Sequence, residues 1–91
     1  MKGITVMLGL FFTVTSAFAG MPIPDADTPQ AKVYAARCSV CHALPHPKRL
    51  DWEHWRHMLD VMDTRMAQRG MPALSDEDRR MISAYLEHHA R

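Results

Sequence analysis

Cys38, Cys41 and His42 are the residues of this sequence whose types and spacing could do chemistry. The string Cys38-Ser39-Val40-Cys41-His42 places two thiols and an imidazole within five positions. Thiols form thioethers, disulfides or metal–sulfur bonds, and imidazole is a metal ligand through a ring nitrogen. Cys-x-x-Cys-His is the spacing of covalent c-type haem attachment. Residues three and four apart lie on one face of a helix. Both sulfurs could then reach the two vinyl groups along one porphyrin edge while His42 turns its ring onto the iron. Three other chemistries share the thiol pair. A thioredoxin-like dithiol wants a βαβ setting, and no such pattern is present. A structural zinc site wants four ligands, with a second pair at matching spacing; His88 and His89 are adjacent and poorly placed for that. A plain disulfide is the third. The expected cofactor is one haem c, bound covalently by Cys38 and Cys41, with His42 as the proximal iron ligand.

The elements that must position this string read as helices. Thr28-Pro29 supplies an N-cap followed by proline at the first helical position. Val33, Tyr34, Cys38 and Cys41 then recur at helical spacing, which predicts a first helix over 29–43, broken by Pro45-His46-Pro47. Asp51 is the next N-cap. Trp55, Leu59, Met62 and Met66 follow at steps of four, three and four and make one apolar stripe, with Gly70 as the residue after the helix and Pro72 forbidding its continuation. Ser75 caps a third helix whose first turn is acidic, favourable at the positive end of the helix dipole. Ile82, Tyr85 and Leu86 give that helix its buried face, to about His89. No alternating period suggests strands. The expected fold is all-α: three helices wrapped around one covalently attached haem.

The first nineteen residues read differently. Met-Lys-Gly is followed by an apolar run from Ile4 to Val14, then Thr-Ser-Ala-Phe-Ala. That is the layout of a secretory signal peptide with small residues at Ala17 and Ala19. A membrane span needs roughly twenty apolar residues, more than this run offers, so cleavage after Ala19 is expected, with no stable membrane insertion afterwards. Residues 20–27, with their prolines and acids, read as a flexible lead-in, and 28–91 as the domain. Export with a haem-attachment string points to a bacterial periplasm. Of the 91 residues, eleven are Lys or Arg and ten Asp or Glu. A nucleic-acid binder would need a basic surplus, and none is expected as a partner. Two cysteines exclude a disulfide-dense scaffold. Without its leader the chain has roughly seventy residues, a size at which an apolar core alone is marginal and a staple is expected.

With these parts in place, the chain resembles a small class I, single-haem cytochrome c over roughly residues 28–90. The resemblance rests on Cys38-Ser39-Val40-Cys41-His42 near the end of the first helix and on a closing helix that starts Leu74-Ser75-Asp76-Glu77 and runs through Ile82 to Tyr85-Leu86. It implies that the last helix crosses the first, Tyr34 meeting Tyr85 there. It also implies a distal iron ligand, and a neutral thioether raises the reduction potential relative to a second imidazole. Met66, nine residues before Ser75, matches the offset in compact members best. Met62, seven after Trp55, and Met71, in a Met-Pro dipeptide, are the alternatives, with bis-His or five-coordinate iron behind them. Met58, off the main stripe, and Met81, within the last helix, read as packing, the ordinary use of methionine.

Other residues fit around this centre. Carbonyls of the Pro45–Pro47 loop could accept from His42 Nδ1–H and orient the ring, or the prolines simply end the helix. Lys48, Arg49 and Arg37 could face haem propionates or solvent. Trp55 is expected against the porphyrin, Trp52 nearer the surface, and His54 and His57 on a solvated face. There is no nucleophile–base pairing, no Gly-rich phosphate loop and no second metal-site spacing among the six histidines. The expected function is therefore single-electron transfer between redox partner proteins of the periplasm, not catalysis. The alternatives are a dedicated cytochrome subunit of a periplasmic dehydrogenase or oxidase, and a haem-based gas sensor.

Overall fold

Each helix of the molecule begins at a side chain that closes an otherwise orphaned backbone amide. The computed structural model describes residues 22–91 together with Gly3 and Gly9; the expected signal peptide otherwise lies outside the described residues. Thr28 accepts from the Ala31 amide (3.3 Å) and opens α1, Pro29–Cys38, with proline in the first turn. Asp51 accepts from the His54 amide (2.9 Å) and opens α2, Trp52–Gln68. Ser75 accepts from the Asp78 amide (3.1 Å) and opens α3, Asp76–His89, whose first turn holds Asp76, Glu77 and Asp78. A single 3-10 turn, Pro47–Arg49, joins α1 to α2. No strand occurs among the described residues. The architecture is the expected all-α bundle of three helices.

Two helix ends shape the site. α2 stops at Gly70, whose φ of 67° is open to glycine without the steric cost of a Cβ. The Gly70 amide donates to the Ala67 carbonyl (3.1 Å) and the Met71 amide to the Met66 carbonyl (2.9 Å), so the chain folds back on the helix end and holds Met71 beside Met66. α1 ends sooner than the spacing predicted, at Cys38 rather than 43. The Ser39 hydroxyl donates to the Ala35 carbonyl (2.6 Å) and so competes for an acceptor of the last turn. Cys41 and His42 therefore lie in a bend beyond the helix, and the one-face argument for a continuous helix does not describe them.

The core lies where α1 crosses α3. Ala31, Tyr34, Ile82, Tyr85 and Leu86 are buried there, and Trp55 and Leu59 reach it from α2. Tyr34 and Tyr85 meet as expected, ring centroids 5.1 Å apart and tilted by 33°. Trp55 presents its edge to Tyr34 at 6.5 Å. α2 packs on α3, but the backbones of α1 and α2 stay apart, and the two helices meet through Tyr34 and Trp55. Residues 22–28 lie against α3: Ile23 packs on the core and the Tyr85 hydroxyl donates to the Pro24 carbonyl (2.8 Å).

The Asp51 cap makes a pH prediction. Its Oδ1 accepts from the His54 amide and lies 2.6 Å from the His54 ring nitrogen, which holds the carboxyl below its usual value of 3.8. A depressed folded-state pKa contributes stability above the unfolded value and loses it as the pH falls through the folded one. Asp51→Ala should therefore lower the melting temperature at pH 7, and the gap from the parent should close as the pH drops below 3.8. Thermal unfolding followed by circular dichroism across pH 2 to 7 checks this.

Candidate haem-binding site

The space that α1 and α2 leave between them is an apolar cleft. The thiols of Cys38 and Cys41 and the ring of His42 border it on one side. Met58, Met62 and Met66 border it from α2, and Met71 and Leu74 from the turn that follows. Tyr34, Trp55, Leu59 and Leu86 form its inner wall. All three members of the string and all three candidate distal methionines are thus brought to one cleft. The structure also adds Met58, which the sequence reading set aside as packing. Its signal was present: Met58 lies three after Trp55 and four before Met62, on the same helical face.

Local bonds hold this lining in place. His42 Nδ1 lies 2.9 Å from the Ala43 carbonyl, which assigns Nδ1 the proton and leaves Nε2 as the free lone pair. The orienting carbonyl is that of Ala43; those of the proline loop serve the cleft wall. The Trp55 indole donates to the Pro47 carbonyl (2.7 Å) and the Tyr34 hydroxyl donates to the Pro45 carbonyl. Cys38 is partly buried and its thiol is pushed up to about 11 by burial. Burial, and then the nearby Cys38 and Tyr85, hold the Tyr34 phenol well above its usual value of 10. Cys41 and His42 are exposed. Neither thiol is in a disulfide, so both are chemically available.

Cations rim the opening. Arg37, Arg49, Arg65 and Arg69 border the cleft or its adjoining recesses. Arg37, a candidate propionate partner, also donates to Asp78 across the α1–α3 junction (2.9 Å). Lys48 borders a neighbouring recess together with Arg49. His54 and His57 lie on the exposed face of α2, away from the cleft.

Two free thiols, a histidine with its outer nitrogen bonded, and soft thioethers around an apolar slot between helices are the donor set for a thioether-linked haem. Fold and site together define a c-type cytochrome. The chain belongs to the dihaem cytochrome c family, whose sequence model matches residues 34–91. No curated protein and no solved structure matches it. Cytochromes of this kind are electron carriers rather than catalysts.

Family membership corrects the expectation of a single-haem class I cytochrome with one haem c: the family is one of two haems. The physical reason for the error is plain. A Cys-x-x-Cys-His string signals one point of covalent attachment and is silent about any other haem. Cys38 and Cys41 are the only cysteines of the sequence. The residues present fit thioether attachment at this string and offer no second cysteine pair for another.

Proposed function

We propose that this chain is an electron-relaying cytochrome unit that works beside a second haem, as a dedicated subunit of a larger periplasmic redox assembly rather than as a free carrier. The observation that carries the reading is the cleft, where both thiols, His42 and four methionines converge on one apolar slot within a domain of the dihaem family. Bound there, a haem would supply one reversible electron between Fe(III) and Fe(II). The protein's own residues do the rest. Cys38 and Cys41 anchor the ring edge, Ala43 orients His42, and Tyr34 and Trp55 keep water from the inner face. Val40, between the two cysteines, is 64% exposed and marks an apolar spot where a partner surface can approach the anchored edge.

A potentiometric titration of the purified assembly tests the reading. Two one-electron steps, with this chain retained in stoichiometric amount, are expected; recovery of this chain with no second haem protein retained would sink it. The periplasmic setting is supported by the pattern of residues 1–19. An intact mass that starts at Gly20, in the periplasmic fraction, is the expected result.

The distal ligand in this proposal is a thioether from the Met62–Met66 pair on α2. Met62, like its neighbour Met58, borders all three recesses that His42 borders, Met66 two of them, and Met71 the same two from the turn. Alanine at the ligating position should abolish the weak far-red absorption of thioether-bound ferric haem. Alanine at either of the other two should leave it. Persistence of the band in all three variants would exclude these methionines.

A further inference from the structure

Where the segment before α1 meets the end of α3, residues 63 and 64 positions apart come together. Asp25, His88 and His89 place one carboxylate oxygen and two imidazole nitrogens all within 4.8 Å of one another. We propose that this is a binding site for a borderline divalent transition-metal ion of the zinc class. Its residues are separate from the haem donors: none of the three borders the cleft.

Three features argue that the cluster is built rather than incidental. Asp25 is held in the left-handed region, φ 51°, tolerated by aspartate better than by most side chains. Its carbonyl accepts from both the Thr28 amide (3.0 Å) and the Thr28 hydroxyl (2.8 Å). The neighbouring Pro24 carbonyl takes the Tyr85 hydroxyl (2.8 Å), so the turn is fastened to the N-cap of α1 at Thr28 and to α3 at Tyr85. His89, only 14% exposed at its side chain, is wedged between Tyr85 (ring centroids 4.7 Å) and His88 (4.6 Å, edge-on), which fixes its ring. Its Nε2 lies 3.2 Å from Asp25 Oδ2.

The chemistry selects the ion. Two imidazoles and one carboxylate are the ligand types of zinc and its neighbours, bound at ~2.0–2.2 Å, with the fourth tetrahedral position left to water. Closing from 4.8 Å to a shared ion needs only small side-chain movements at an open surface. His88 and His89 also stand at the C-terminal end of α3, where the helix dipole favours a cation. A bound ion would tie the segment before α1 to the end of α3.

Zinc is the probe of choice because it is redox-silent and leaves the haem spectrum undisturbed. Calorimetric titration of the chelator-washed, haem-loaded protein with zinc sulfate should show one ion per chain and a raised melting temperature. His88→Ala removes a ligand but keeps the His89–Asp25 pair; Asp25→Asn keeps a residue that tolerates the left-handed turn. Losing an outer-shell partner alone typically costs about 10- to 100-fold in metal affinity, so each variant should bind at least about tenfold more weakly and lose the thermal shift. Absence of one-to-one binding by the parent overturns the proposal, as does undiminished affinity in His88→Ala.

Discussion

Serine at both Cys38 and Cys41 is expected to leave a chain whose intact mass, after periplasmic expression with the haem-attachment machinery, is that of polypeptide alone. These are the sequence's only two thiols, and no other side chain at the cleft can add to a haem vinyl group. The consequence should spread beyond the missing group. The backbones of α1 and α2 stay apart, and beyond the Tyr34–Trp55 contact it is what fills the cleft that joins their facing sides. Emptied, the slot leaves the half-buried Met58, Met62 and Met66 facing water. For a domain of this size about 1 kcal/mol shifts the melting temperature by 4–8 °C, and the double variant should lose more than that. The single variant Cys41→Ser should retain one thioether through Cys38, because Cys38 sits on the last turn of α1, partly buried at the cleft wall. Mass spectrometry and thermal unfolding read the two effects separately.

Trp55→Ala should be the most damaging change that leaves the haem donors intact. The side chain is 4% exposed, meets Tyr34 edge-on and borders the cleft. Truncating a buried tryptophan costs about 3–5 kcal/mol, a large share of the ~5–15 kcal/mol that holds a domain folded. Trp55→Phe separates packing from hydrogen bonding. It keeps most of the volume and removes the donor to the Pro47 carbonyl, on a residue that is itself buried. An unsatisfied buried acceptor costs about 1–3 kcal/mol, so phenylalanine should fall between parent and alanine. Denaturant unfolding of the haem-loaded proteins orders the three; equal stability of phenylalanine and parent would remove the role given to the indole N–H.

These two expectations differ in how visible their causes are. Cys38, Cys41 and His42 are adjacent in the chain, so their chemistry can be read without a fold. The helix starts are visible for a related reason. A cap is a bond between a side chain and an amide two or three residues on, and Thr28, Asp51 and Ser75 each announce one. The cost of any other residue than glycine at φ 67° likewise marks Gly70. The end of α1 was less legible: whether Ser39 continues the helix or bonds back to Ala35 depends on a balance of two similar hydrogen bonds, and a spacing rule does not weigh them.

Haem number was not legible at all, because only covalent attachment is written in cysteines; family membership supplied it. Among the methionines, spacing put Met62 and Met66 on one face, but only the fold-back at Gly70 placed Met71 beside them. The same limit hid Asp25 from His88 and His89. Linear order carries the reactivity of neighbours and the signals for starting and stopping helices, since those interactions close within a turn. Which distant groups share a cleft or a surface depends on how helices cross, and here the Tyr34–Tyr85 contact and the gap between α1 and α2 decide it.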